Sequence, residues 1–433
     1  MEYFERSEPE QNLLDNTICE IKSSLNIFYS AERTQDEFIR LHSSTLGEEE
    51  LLAFTRSYLE GNITVGKYNN EYENLSAEYF HSRYSVTSNS GSSANLLAIS
   101  ALVQAGKLNK GDKVIVPSLA WSTTIFPLVQ YGLIPVFVDI STTDFNLSLV
   151  DVESCTREHD IKAIMVIHTY GNPADIDFLT NFCDSNNLLL IEDTCESMGA
   201  TWDAKPIGSF GILGTFSTYF SHHICTLEGG LTITDDENLL NLMKSIRSHG
   251  WTRDIKFDSS LIENVDFLDP TFTFLNTGYN IRLSDPQAAI GCIQLKKLDK
   301  FVTNRARNAQ KFKELISNSS LLGKYITSQK SHEKASSSWF GFPILLKDLK
   351  RNQVQLIRKK LLERGIESRP FLAGDFTLQP VNLKYKSIKF VNQNNIRLFH
   401  NLSFALPCHQ GLTSQHVENI CSSLELSLRE VIS

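Results

Sequence analysis

No two cysteines in this chain have Cys-x-x-Cys spacing. Cys19, Cys155, Cys183, Cys195, Cys225, Cys292, Cys408 and Cys421 are scattered along 433 residues. Such dispersal argues against a zinc site, any other metal centre or an iron–sulfur cluster and fits free thiols in a reducing cytoplasm. Long apolar runs are also missing, none approaching the roughly 18 residues of a membrane span. The opening MEYFERSEPEQNLLDN is acidic and lacks the basic and apolar regions of a signal peptide. Positive charge is in deficit, with 41 Lys and Arg against 50 Asp and Glu, a net charge of -9. A general nucleic-acid or membrane-surface binder needs a basic face, so neither partner is expected. A local cationic pocket stays compatible with that balance. Internal repeats and low-complexity linkers are absent too, so the parts of the chain should pack tightly. A cytoplasmic location is the expectation.

The length exceeds one simple core and suggests two domains of roughly 100–200 residues each. Residues 1–45 are polar with a helical pattern and read as an N-terminal extension. From about residue 85, short apolar runs alternate with amphipathic stretches. DKVIVPS (112–118), PVFVDI (135–140), KAIMVIHTYG (162–171), NLLLIED (187–193) and GTFSTYF (214–220) read as buried strands. The segments between them have helical spacing, which implies βα units around a mostly parallel sheet. Residues 46–300 therefore form a large α/β domain. The stretch 279–316 reads as one long helical connector, and 301–433 as a smaller α+β domain.

Four stretches carry candidate chemistry. In NSGSSANLLAIS (89–100), small residues open an apolar helix, an arrangement that suits a phosphate and equally an ordinary helix cap. PSLAWSTT (117–124) puts Trp121 just after a strand, where ligand loops lie in open α/β sheets; the ring could be core or could stack on a flat ligand. LLLIEDTCES (188–197) delivers two adjacent acids to a strand end. STYFSHHICTLEGG (217–230) supplies Ser217, a histidine pair and two glycines where backbone can approach closely. Adjacent histidines diverge, and no acidic or histidine partner stands at metal spacing, so a metal centre is not expected.

The order of these pieces, ending in Ser-x4-His-x5-Glu-Gly-Gly, resembles the sugar aminotransferase/dehydratase family of the aspartate aminotransferase fold, from about residue 50 to near the C-terminus. The resemblance implies a type I pyridoxal-phosphate transferase fold. In the family pattern a lysine that tethers the cofactor stands six positions before that glutamate; alignment on Glu228-Gly229-Gly230 puts His222 there. Together with RSHGWTRD (247–254), SSWFGF (337–342) and GIESRP (365–370), this is similar to the branch of nucleotide-sugar 3-dehydratases in which histidine replaces the lysine. A sister branch carries an iron–sulfur cysteine cluster near this point, and 249–267 holds no cysteine.

What the resemblance implies is specific. The cofactor would be pyridoxal 5'-phosphate, cycling with pyridoxamine 5'-phosphate, with glutamate as amino donor. The substrate would be a nucleotide-diphosphate 4-keto-6-deoxy sugar, GDP-4-keto-6-deoxy-D-mannose first among the candidates. The product would be a 4-keto-3,6-dideoxy sugar for polysaccharide or O-antigen synthesis. His222 would move the catalytic proton, helped by an imidazole pKa near neutrality. Cofactor contacts fall to Gly91, Ser92, Trp121, Asp193, Glu196 and Ser217. Asn280 would reach a phosphate in the other subunit, implying a homodimer with shared sites. Gly61, Asn62, Ile63, Thr64, His249, Arg253 and Glu367 match positions near the nucleotide sugar, where a guanidinium such as Arg253 pairs well with a diphosphate. The rivals are a 4-aminotransferase using another lysine, Lys205 or Lys244 being nearest in sequence, and a non-catalytic cofactor-binding protein. Decay of an enzyme should also have eroded the phosphate cap, Asp193 and the Glu-Gly-Gly run, and all are intact.

Overall fold

The computed structural model describes residues 7–30, 38–253, 255–256, 272–390 and 394–433, with only the backbone of 25–30. Parts of the expected N-terminal extension (1–6 and 31–37) and most of the cysteine-free stretch 249–267 lie outside the described residues, as does Asp254.

Apolar runs become strands β1 (Tyr84–Ser88), β2 (Lys113–Pro117), β3 (Ile134–Val138), β4 (Ile161–Ile167) and β5 (Leu189–Asp193). Two short strands, β6 (Thr201–Trp202) and β7 (Lys205–Pro206), precede β8 (Leu213–Ser217) and β9 (Gly230–Thr234). The C-terminal part adds β10 (Ile326–Ser328), β11 (Ala335–Ser336), β12 (Phe342–Leu346), β13 (Arg369–Pro370), β14 (Ile388–Lys389) and β15 (Ser403–Leu406). The large sheet has the order β1-β9-β8-β5-β4-β2-β3-β14. From β8 to β14 all neighbours are parallel, while β9 runs antiparallel to both β8 and β1.

Strict alternation explains why both faces of this sheet are covered. Val114, Val116, Phe137, Met165 and Ile191 point into one core with Leu97 and Leu102 of α4 (Gly91–Gln104). Ile115, Val136, Val138, Ile164 and Val166 point into the other, with Leu179 of α7 (Ile176–Asn186). Truncating one of these to alanine would cost about 2–5 kcal/mol. The other helices of this part are α1 (Glu8–Ser30), α2 (Glu48–Leu59), α3 (Lys67–Tyr79), α5 (Ser122–Gln130), α6 (Leu149–Glu158) and α8 (Glu237–Arg247). α1 packs against α2, and Arg56 of α2 pairs with Asp15 at 2.8 Å.

The stretch expected to be one connector is two helices, α9 (Asp285–Leu295) and α10 (Leu298–Asn318). They part because they serve different cores. α9 packs against α2 and α3, whereas α10 sends Ala309, Phe312 and Ile316 into the core of the small sheet β10-β12-β15-β13. That sheet is antiparallel and is backed by helices Arg351–Glu363 and Ser414–Ile432. β6, β7 and β11 form a minor third sheet.

One segment of the C-terminal part returns to the large sheet. β14 pairs with the edge strand β3, Asp375 bridges Leu119, and Phe376 is buried in the core of α4. The N–H groups of Asn395 and Ile396 donate to the two carboxylate oxygens of Asp139 at 2.9 and 2.8 Å.

Candidate active site

A cavity of about 380 Å³ opens where β5 and β8 end, and its lining includes Gly91, Ser92, Trp121, Asp193, Glu196, Ser217 and His222. The parallel strands place their C-terminal ends on one edge, which is why residues distant in sequence meet there.

The helix cap at Ser90 forms one wall. Ser90 Oγ accepts the N–H of Ser93 at 3.1 Å, and the first N–H groups of α4, which have no partner within the helix, border the cavity. Gly91 has to be small: a Cβ there would stand 2.5 Å from Ser217 Cβ and 3.1 Å from Cys195 Sγ. Trp121 caps α5 from outside and is half exposed at the cavity edge.

The two acids of β5 take opposite fates because successive strand residues face opposite sides. Asp193 meets the cavity. Its Oδ2 accepts from Asn95 Nδ2 at 2.9 Å and Thr124 Oγ1 at 2.7 Å, and its Oδ1 from the N–H of Cys195 at 3.2 Å. Glu192 is fully buried on the other side, where it accepts from the backbone N–H groups of Gly208, Phe210 and Gly211 and from His168 Nε2. Burial pushes its pKa up, and these donors more than offset that, holding it below the usual carboxylate range. Glu196, half-buried beside the cavity, goes the other way: burial lifts its carboxyl to about 7, against the pull of Arg369.

His222 lines the cavity and His223 does not. Nδ1 of His222 lies 2.7 Å from the Cys195 carbonyl. A carbonyl only accepts, so Nδ1 carries the proton and Nε2 presents its lone pair. Here the expectation of a near-neutral imidazole is corrected. Burial lowers the pKa, the carbonyl bond opposes that, and Arg369 and Arg305 lower it further, to about 4. His223 is fully buried, with Nε2 donating to the Ser338 carbonyl at 3.1 Å.

Among the lining residues that sequence reasoning left unchosen are Arg369 and Phe340. Arg369 arrives on β13 and is the one cationic side chain in the cavity's described lining; Phe340 packs its ring 5.0 Å from that of His222. Both lie within the quoted motifs GIESRP and SSWFGF. Their place at the cavity comes from packing of the small sheet against the large one, and no local pattern announces it.

The remaining candidates lie elsewhere in this chain. Thr64 and Arg253 line a second cavity of about 250 Å³ with Lys244, Arg247, Trp251 and Arg282. Arg247 is neutralised by Glu73 at 2.5 Å. The Arg253 guanidinium sits 5.1 Å over the Trp251 ring, which stacks on Phe272 and Phe274, both largely exposed. Gly61, Asn62 and Ile63 form the turn leading to Thr64, with Gly61 at φ +81. His249 is exposed at φ +68 and donates its N–H to Tyr279. Asn280, also exposed, bridges Ser248 and accepts from Arg282 Nε at 3.0 Å. Glu367 lines neither cavity; its carboxylate accepts the N–H of Leu41 at 3.0 Å.

Comparison with known proteins adds a consistent picture. Residues 44–425 match the model of the DegT/DnrJ/EryC1/StrS aminotransferase family. The chain is 44% identical, over 80% of its length and 87% of the relative's, to a GDP-4-keto-6-deoxy-D-mannose 3-dehydratase of Yersinia pseudotuberculosis. It is 34% identical, over 88% of its length and 89% of the relative's, to the lipopolysaccharide biosynthesis protein RfbH of Salmonella typhimurium. A solved GDP-4-keto-6-deoxymannose-3-dehydratase, holding a trapped adduct of pyridoxal phosphate and glutamate, superposes with a TM-score of 0.83 at 35% identity, over 89% of this chain and 100% of that one. Among the described residues no helix is long and apolar enough to cross a membrane.

Proposed function

The chain belongs to the DegT/DnrJ/EryC1/StrS aminotransferase family, and from that premise we propose that it is a pyridoxal-phosphate-dependent nucleotide-sugar 3-dehydratase acting on GDP-4-keto-6-deoxy-D-mannose. With glutamate as donor it would yield the 4-keto-3,6-dideoxy sugar, 2-oxoglutarate and ammonia. The observation that carries the reading is His222, a neutral imidazole with a free Nε2 at the position where the family places its lysine.

The residues fit the cofactor. An anion-binding helix end at Gly91 and Ser92, kept open by the missing Cβ, suits its phosphate. Asp193, held by Asn95 and Thr124, suits a protonated ring nitrogen. Trp121 suits a flat ring, and Ser217 and Glu196 complete the cradle. When bound, pyridoxal phosphate supplies the electron sink and, as the amine, the nitrogen that condenses with the sugar's C4 carbonyl.

The chain's own part is proton handling and positioning. Without a lysine no covalent tether to the protein forms, and no lysine amine is at hand to displace the sugar. His222 Nε2 is unprotonated at physiological pH and is the group that takes a proton next to the reacting carbon. Its low pKa makes the resulting imidazolium a strong acid, suited to protonating the departing C3 hydroxyl. Arg369 suits the donor's carboxylate.

The second cavity supports recognition of a nucleoside diphosphate, since cations suit the diphosphate and the exposed aromatic stack suits the base. Because it and Asn280 lie outside this chain's catalytic cavity, we read them as serving the site of a second copy. Equal mixing of inactive His222→Asn and Asn280→Asp variants should then restore about a quarter of the sites, through heterodimers that hold one intact site. No recovery would refute shared sites. The reaction itself is tested by mass spectrometry after incubation of the sugar with holoenzyme and glutamate. A product one oxygen lighter with no nitrogen gained supports the reading; a 4-amino sugar would assign an aminotransferase instead.

A further inference from the structure

Arg305 is a guanidinium buried to 2% exposure on α10, and among the described residues it forms no ion pair. It grips a loop instead. Its Nη1 donates to the carbonyls of Trp339 and Phe340, both at 3.1 Å. The same loop is pinned from other directions. His223 holds the Ser338 carbonyl, and the N–H groups of Ser338 and Phe340 donate to the carbonyls of Gly171 and Tyr170 at 3.0 Å. Gly171, at φ +90, lies so close that a Cβ there would stand 2.5 Å from the Trp339 nitrogen. Of this loop only Phe340 lines the catalytic cavity, where its ring lies 5.0 Å from the His222 imidazole at 56°.

Burying a guanidinium without a carboxylate is unfavourable, and for the fold alone an apolar side chain of similar volume would be at least as stabilising. Both bonds that offset this burial go to the loop that seats Phe340. We propose that Arg305 is a positioning residue for the reaction: by holding the Trp339 and Phe340 carbonyls it fixes Phe340 against His222, so that Nε2 keeps a single direction. The Cys195 carbonyl fixes the other end of the imidazole. The inference rests on reading His222 as the proton carrier.

The groups facing His222 are Asp193 at the end of β5, Cys195 and Glu196 just beyond it, Tyr219, His223 and Glu228 of its own turn, Arg369 from β13 and Arg305 from α10; Tyr170 packs on Phe340. Arg305 is the cation among them that also holds the loop. Full-length holoenzyme carrying Arg305→Gln, Arg305→Lys or Phe340→Leu is assayed for kcat, KM and their pH profiles. In Arg305→Gln, kcat should fall on the order of 10- to 100-fold with KM for the sugar within about twofold, and the acid limb should move to higher pH. Arg305→Lys keeps the charge but loses the planar guanidinium whose Nη1 reaches both carbonyls, so its kcat should fall while the limb stays in place. A folded, cofactor-loaded Arg305→Gln enzyme with wild-type kcat and pH profile would overturn the proposal. Should that variant fail to fold, Phe340→Leu decides: wild-type kcat and profile there overturn it equally. Failure of the underlying reading is recognised separately, by near-normal turnover of His222→Asn.

Discussion

Acidification tests the environment of His222. Burial and two nearby guanidinium groups lower its pKa from 6.5 to about 4. The sign is definite: the unprotonated form is present above that value and is lost as pH falls through it. At pH 5 a group with pKa about 4 is still about 90% neutral, whereas an ordinary histidine would be only about 3% neutral. The two cases differ by roughly 30-fold in the fraction of competent enzyme. Glu196, lifted to about 7 by burial, also titrates in this range, so the assay uses Glu196→Gln as well as wild type. Initial rates of sugar deoxygenation at saturating glutamate, measured from pH 8 to pH 5 with folding followed by circular dichroism, report kcat. In Glu196→Gln, kcat should stay nearly flat down to pH 5. An acid limb between pH 6 and 7 in that variant, with the fold intact, would refute the reasoning from burial and charge. Folding carries the same linkage. Between 6.5 and about 4 the unfolded chain binds a proton that native His222 does not, so stability falls as pH drops through that window. His222→Asn should soften this loss.

Turnover by His222→Asn should fall by the ~10²–10⁴-fold typical of lost acid–base catalysis, with the thermal midpoint near wild type; activity assays beside melting curves check both. Borohydride treatment of wild type should leave the mass of the chain unchanged, while His222→Lys should gain one reduced cofactor. His223→Asn shortens a fully buried side chain that holds the Ser338 carbonyl, so it should cost about 1–3 kcal/mol of stability, read by denaturant unfolding, and less kcat than His222→Asn. Gly91→Ala drives a methyl group to 2.5 Å from Ser217 Cβ and should weaken cofactor retention on gel filtration. Asp193→Asn turns an acceptor held by Asn95 and Thr124 into an amide; it should bind cofactor yet lose turnover, measured by absorbance and product formation.

Much of this site could be read from the chain because its pieces obey local rules. LLLIED is a two-sided buried strand, so it had to end in a sheet and leave an acid at its tip, and Asp193 is there. The Glu-Gly-Gly run marks a turn whose register put His222, not its neighbour, in the cavity. The small-residue cap at Ser90 is a helix start by composition alone. What escaped depends on distance. Arg369 and Phe340 reach the cavity only once the small sheet docks on the large one. The pKa of His222 depends on burial and on charges from β13 and α10, so a histidine read in isolation suggested neutrality. The break between α9 and α10 was invisible because helical spacing runs on while the partner core changes.

The return of the segment around β14 to the large sheet bears on timing. Downstream of Arg369, the chain is fastened by the Asp375–Leu119 bridge, by buried Phe376, by β14 beside β3 and by the Asp139 carboxylate. Upstream, the N–H groups of Ser338 and Phe340 donate to the carbonyls of Gly171 and Tyr170, and His223 holds the Ser338 carbonyl. A swinging motion of the small sheet would have to break both sets of attachments, so the catalytic chamber is a standing room and not a closing jaw. Trp121 and Tyr219 line this chamber and are partly exposed to solvent. If product escape from such a chamber limits the rate, turnover should respond to solvent viscosity rather than to hinge mutations, which rates measured in added sucrose check.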